Sequence, residues 1–252
     1  YVTLEPCAHR SQRGPACAHI VADAGLARVV VGVTDPDPRT AGNGITRLRY
    51  AGIIAECADH PAARESLAGY LTQRQEGRPH VTLKLATSLD GFIATGSGES
   101  RWITGPAARA HAHRERARTD AILVGGGTLR ADTPSLDVRL PGLEQRSPRR
   151  VALTRGPVPE GWTALSDPAE VRDLADVQYL LVEGGAAAAA RFLAAGLVDR
   201  LLLYRAPILI GGGLPALGEI GLPSLAEAHG QWRLVDRRNF APDTLEIYER
   251  AR

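Results

Sequence analysis

Residues 81–86 alternate Val81, Leu83 and Leu85 with Thr82, Lys84 and Ala86, the period of two expected of a strand whose faces meet different surroundings. Asp90-Gly91 then marks a turn. Gly96, Gly98, Ser100, Arg101 and Trp102 follow, combining a free backbone, a hydroxyl, a cation and one large flat ring. Loops at strand ends are where such groups meet ligands, so residues 81–104 read as the opening of a nucleotide-binding domain. A plain surface loop with Trp102 as a hydrophobic plug is the alternative.

The rest of the chain continues the alternation. Strand patterns at 1–4, 27–33 and 53–55 are separated by helical stretches at 18–24, closed by Gly25, and 45–51, stopped by Gly52. Residues 61–75 predict a helix or short linker before Gly77-Arg78-Pro79, and the domain boundary is placed there, giving 1–77 and 78–252. In the second part, 106–118 predicts a helix with a basic face and 121–124 a strand ending in a Gly125-Gly126-Gly127 turn. Strands follow at 149–154, 179–182 and 201–204, a strand and turn at 207–213, and a closing hairpin at 231–239 and 244–248. This is the pattern of an α/β layer fold. The Gly-x-Gly-x-x-Gly fingerprint is missing, which argues against an ordinary Rossmann domain.

Composition narrows the picture. A chain of 252 residues, 44% hydrophobic and 23% charged, has the make-up of a globular protein with one or two cores. Its net charge of +2 is too mild to suggest nucleic acid, whereas scattered arginines suit an anionic small substrate. No apolar run is long enough to span a membrane and no leader opens the chain, so no membrane partner and a cytoplasmic location are expected. The chain starts at Tyr1, contains no Met and enters directly as a strand, as expected of a fragment lacking its N-terminal part.

Three cysteines are an odd count with no disulfide framework. Cys7 and Cys17, separated by AHRSQRGPA, have the soft thiolates that suit zinc, although free cysteines are often merely buried. Zinc deaminases add a preceding His-x-Glu, whose Glu moves protons for a metal-bound water. No His-x-Glu precedes Cys7, so deamination is not expected of this chain, and Cys57 reads as structural. Elsewhere, the strand at 179–182, Glu183-Gly184-Gly185 and an alanine-rich helix form the usual arrangement for placing helix amides against a pyrophosphate.

Lys84-Leu85-Ala86-Thr87-Ser88-Leu89-Asp90-Gly91, then Gly98-Glu99-Ser100-Arg101-Trp102-Ile103-Thr104, resembles the reductase domain of the bifunctional riboflavin-biosynthesis deaminase/reductase family. Pro6-Cys7-Ala8-His9 with Gly14-Pro15-Ala16-Cys17 resembles the second half of that family's deaminase signature. The resemblance implies part of a cytidine-deaminase-like α/β/α domain followed by a dihydrofolate-reductase-like α/β domain. It implies NADPH-dependent reduction of the ribosyl group of 5-amino-6-(5-phosphoribosylamino)uracil to ribityl, with zinc-dependent deamination belonging to the full-length protein. The partner implied is a phosphorylated pyrimidine, and the assembly a homodimer.

By the same resemblance, Ala86, Trp102, Thr128, Asp132, Arg155 and Gly185 face the cofactor. Ser100, Arg116, Leu136, Arg139 and Glu183 face the substrate, and Cys7 and Cys17 the metal. Asp132 is the candidate for catalysis, delivering a proton or orienting the sugar. The family usually has a second Asp after it, where this chain has Thr133. The rival readings are a related NADPH reductase acting on another pterin-like or pyrimidine substrate, and a non-catalytic zinc-binding module.

Overall fold

β-Branched residues favour strands, and in the computed structural model, which describes residues 1–10, 12 and 14–251, the strands build a three-stranded, an eight-stranded and a two-stranded sheet. The chain divides into two compact units, Tyr1–Arg78 and Pro79–Arg252, one residue beyond the predicted boundary.

In the first unit, β1 (Val2–Leu4), β2 (Arg28–Val33) and β3 (Ile54–Cys57) form a parallel sheet with Val2 opposite Val31 and Arg28 opposite Ile54. α1 (Cys17–Asp23) and α2 (Asn43–Tyr50) connect the strands, and α3 (Pro61–Ser66) and α4 (Ala68–Glu76) close the unit. Val29, Val31, Ile45, Leu48, Ile53 and Ala55 form its core. The N-terminus of α2 meets the buried Glu5 carboxylate, which accepts from the amides of Gly42 at 2.9 Å and Ile45 at 3.0 Å. An anion there satisfies orphan donors and meets the positive end of the helix dipole.

The second unit runs β4 (His80–Thr87), β5 (Phe92–Thr95), α5 (Pro106–Arg116), β6 (Ala121–Gly125), α6 (Gly126–Asp132), β7 (Arg149–Leu153) and β8 (Thr163–Leu165). It continues through β9 (Tyr179–Val182), α7 (Ala186–Ala194), β10 (Arg200–Arg205), β11 (Gly213–Pro215), α8 (Leu225–Ala228), β12 (Trp232–Phe240) and β13 (Asp243–Arg250). Eight strands form one sheet in the order β12-β13-β10-β4-β9-β6-β7-β8. β13 is antiparallel to both β12 and β10, and the other pairs are parallel.

The predicted alternation holds along β4. Val81, Leu83 and Leu85 are buried in a core that includes Ala188, Ala189 and Phe192 of α7. Ala86 points to the opposite face, against the cluster of Ala108, Ala112, Leu202, Tyr204, Leu245 and Ile247 under α5. Leu129 of α6 packs with Ile122, Val124, Ala152 and Leu181. Helices thus cover both faces of the sheet, and the parallel strands β4, β6 and β9 point their C-terminal ends the same way. Among the described residues no helix is long and apolar enough to cross a membrane.

Three local expectations changed. Gly126 and Gly127 open α6 instead of forming a free turn, with the backbone of Gly126 close against Thr154. The polar stretch after Asp90 contains β5, which pairs with β11, while 207–212 runs without strand pairing. β5 and β11 are too short to announce themselves by periodicity, and each depends on the other. Trp102 is no plug, since it is 66% exposed.

Candidate active site

A cleft of about 230 Å³ opens at the C-terminal ends of β4, β6 and β9. Lys84, Leu85 and Ala86 of β4 form one side, Ile93 and Ser100 come from β5 and the loop after it, and Thr128 and Asp132 come from α6. Glu183, Gly184 and Gly185 complete the lining between β9 and α7. Six residues chosen from sequence therefore meet here: Ala86, Ser100, Thr128, Asp132, Glu183 and Gly185.

Strand pairing explains the centre of the site. Leu83 stands opposite Val182 in the parallel β4–β9 pair, so the next residues along, Lys84 and Glu183, emerge as neighbours. Lys84 Nζ lies 3.6 Å from Glu183 Oε2. From α5, Arg116 donates through Nε to Glu183 Oε1 at 2.7 Å and through Nη2 to Oε2 at 2.9 Å. Its Nη1 donates to the Asp137 carbonyl at 3.0 Å. Burial of Glu183 pushes its carboxyl up, but Lys84 and Arg116 outweigh that and hold it at about 2. The result is a carboxylate only 9% exposed, fixed bidentately by a guanidinium behind it and faced by an ammonium in the cleft.

The other wall is more open. Asp132 Oδ1 is 3.8 Å from Arg101 Nη2, and both side chains are well exposed. Thr128 Oγ1 accepts from the Gly185 amide at 3.3 Å, tying α6 to the start of α7. No side chain caps α7, whose N-cap is Gly185 itself, so its first amides are free of intrahelical partners. Gly184 sits so tightly against α7 that a Cβ there would come within 2.8 Å of Ala188 Cβ. Gly184→Ala is accordingly expected to cost about 1–3 kcal/mol by overpacking, read as a lower midpoint in urea unfolding.

The remaining predicted residues lie elsewhere. Trp102 carries Arg109 over its ring at 4.6 Å and Arg101 at 6.0 Å, outside the cleft lining. Arg155 is exposed in the turn after β7. Leu136, at φ 54°, buries its side chain in the core with Leu129. Arg139 donates to Asp137 Oδ1 at 2.9 Å and borders a different hollow with Glu144 and Ser147. Arg116 was expected at a substrate, and here its fork is taken up by Glu183 and the Asp137 carbonyl. Lys84 belongs to the same motif, and the resemblance implies no role for it. The available signal was a lysine between Leu83 and Leu85 on a central strand.

In the first unit, Cys7 Sγ accepts from the Cys17 amide at 3.2 Å. A hydrogen bond with the Cys7 side chain, then burial, pushes the Cys17 thiol up, toward the protonated form. His9 Nδ1 faces Thr40 Oγ1 at 3.3 Å, and His19 is exposed. Among the described residues no group of three His, Cys, Asp or Glu side chains is placed to hold a metal, so the pair does not fit a complete zinc site. Cys57 is exposed at the end of β3 and accepts from Thr34 Oγ1 at 3.4 Å.

The family model of the RibD C-terminal domain matches residues 79–245. Riboflavin biosynthesis protein RibD of Mycobacterium tuberculosis (strain ATCC 25618 / H37Rv) is 38% identical over 260 residues, which cover 97% of this chain and 76% of that protein. The protein of the same description from Escherichia coli (strain K12) is 35% identical, covering 96% of this chain and 79% of its own length. Among solved structures, the diaminohydroxyphosphoribosylaminopyrimidine deaminase/5-amino-6-(5-phosphoribosylamino)uracil reductase from Thermotoga maritima matches with a TM-score of 0.85 at 28% identity. That match covers 99% of this chain and 79% of the other. Acinetobacter baumannii RibD matches with a TM-score of 0.84 at 32% identity, covering 99% of this chain and 80% of the other.

Proposed function

The chain belongs to the RibD family of riboflavin biosynthesis, and from that membership we propose that its second unit uses NADPH to reduce the ribosyl side chain of 5-amino-6-(5-phosphoribosylamino)uracil to ribityl. The observation that carries this reading is the Lys84–Glu183–Arg116 cluster in the cleft beside the uncapped start of α7. It sets a rigid polar group for a substrate next to a place for a pyrophosphate.

The residues present fit a reduced dinucleotide. The first amides of α7 and the positive end of its dipole suit a pyrophosphate, and the tight Gly184 turn brings them into the cleft. Thr128 and Ala86 supply a hydroxyl and a flat apolar floor. When bound, the dinucleotide supplies a hydride to the ribosyl C1 carbon.

The chain's own work is positional and protonic. Glu183, locked by Arg116, accepts hydrogen bonds from the substrate, and Lys84 balances its charge on the open side. Arg116 acts by holding Glu183. Asp132, at the far wall, delivers a proton to the opening ring oxygen or orients the sugar. Arg139, exposed and held by Asp137, keeps its part in the reading as a residue facing the substrate. Among the described residues no third ligand joins Cys7 and Cys17, and this reading assigns only the reduction to the second unit. The reading includes pairing of two copies and a cytoplasmic location.

The test follows loss of NADPH by the purified chain with 5-amino-6-(5-phosphoribosylamino)uracil, beside the undeaminated precursor. Turnover of the first alone is expected. Dinucleotide binding with no turnover of either would overturn the assignment of substrate and favour a reductase for another pterin-like or pyrimidine compound.

A further inference from the structure

Asp90 ties together a structure that supplies part of the cleft wall. It sits in the turn between β4 and β5, where Ser88 Oγ donates to Asp90 Oδ1 at 2.6 Å and the Phe92 amide donates to Ser88 Oγ at 3.0 Å. The same carboxylate reaches across 121 positions of sequence to accept the Gly211 amide at 2.8 Å and, beside it, the Ile210 amide at 3.2 Å. Two successive backbone amides aimed at one carboxylate make an anion nest, with Gly211 at φ 76° allowing the bend.

What this joins is specific. Residues 206–218 leave the end of β10, run beside the β4–β5 turn, pair with β5 as β11, and finish at α7, where the Gly218 amide donates to the Ala186 carbonyl at 3.3 Å. This strap also bonds to the turn through the Leu89 amide on the Ile208 carbonyl and the Ala216 amide on the Gly91 carbonyl. At Gly213 it passes β5 so closely that any Cβ would collide with the Ala94 carbonyl. β5 then brings Ile93, and the loop after it Ser100, into the cleft lining. Among the described residues, β5 pairs with β11 and with no strand of the large sheet.

We propose that Asp90 is a positioning residue of the reductase: by tying the strap to the β4–β5 turn it sets the height of the β5 flap, and with it Ser100, over bound substrate. This rests on the reduction proposed above and extends it to a residue outside the cleft. The Ser88 hydroxyl first, and then the Gly211 amide, lower the Asp90 carboxyl below its ordinary value, so the anchor stays ionised at neutral pH.

The test compares Asp90→Ala and Asp90→Asn with wild type in steady-state kinetics and in amide hydrogen exchange. Asp90→Ala should raise KM for the aminouracil about tenfold with kcat changed less than about threefold, and Asp90→Asn, which keeps one acceptor, less. Combined with Ser100→Ala, the loss should be smaller than the product of the two single losses, because both act through the same contact. Exchange in the wild type and Asp90→Ala proteins should differ at 92–101 and 208–216 while the central strands stay protected. If Asp90→Ala does not fold, Ser88→Ala removes the hydroxyl that donates to Asp90 and accepts from the Phe92 amide, leaves the Asp90 contacts with the strap, and should shift KM in the same direction. A folded Asp90→Ala protein with unchanged KM, or with additive losses, would overturn the proposal. If the wild type has no reductase turnover, the reading of function fails alone, and faster exchange confined to the flap and strap still supports the anchor.

Discussion

Replacing Glu183 with glutamine is expected to weaken the fold and flatten its acid dependence in one step. The substitution keeps the shape but leaves Lys84 and Arg116 facing each other without the anion between them, in a place where the Glu183 side chain is only 9% exposed. Breaking one member of a buried ion pair costs roughly 3–5 kcal/mol, because the surviving charge stays desolvated and unpaired. The wild-type carboxyl sits at about 2 when folded, well below its usual 4.5. The stability it contributes is therefore fully present above its unfolded value and is lost as pH falls through the folded value. At 1.36 kcal/mol for each decade, that contribution is about 3 kcal/mol.

Urea unfolding of both proteins between neutral pH and pH 2, with each midpoint plotted against pH, checks this. The wild type should lose stability across the interval from 4.5 down to about 2 more steeply than Glu183→Gln. Identical slopes would remove Glu183 as the source of the acid dependence. In the reductase assay, kcat/KM should fall roughly 10- to 100-fold, as a hydrogen bond to a charged group is worth about 1.5–3 kcal/mol.

Asp132→Asn should do the opposite, sparing the fold and removing chemistry. Asp132 is well exposed, and its contact with Arg101 at 3.8 Å is a surface pair of the kind that contributes little. The unfolding midpoint should stay within experimental scatter. Yet its carboxyl borders the same cleft as Glu183, Thr128 and Ser100, where an amide cannot give up or take a proton. Loss of a positioned acid or base lowers turnover roughly a hundred- to ten-thousandfold, so kcat should drop by that order while NADPH binding, followed by its fluorescence, is retained. Unchanged turnover in a folded Asp132→Asn protein would remove it from the reaction.

Much of this site was visible in local patterns. The period of two along 81–86 placed Lys84 and Ala86 on the face opposite Leu83 and Leu85, and β4 adopts that arrangement. The strand at 179–182, its glycine pair and the alanine helix were read as one unit, and they form β9, the Gly184 turn and α7. The motif resemblance selected Thr128 and Asp132, which α6 does bring to the cleft. Leu136, expected at the substrate from the same motif, has a left-handed backbone and a side chain buried in the core.

The amino-acid sequence by itself determined the central strands and longer helices and their faces, because strand period, turn residues and helix spacing depend on neighbours a few positions apart. The tertiary structure decided which charges meet. Arg116 and Glu183 are 67 positions apart and join because α5 packs on the face of the sheet that carries Lys84. Lys84 reaches Glu183 because β4 and β9 pair in parallel register, and β5 exists as a strand because β11 returns to it. Each of these contacts follows from strand order and packing, and none is encoded in any short window of the chain.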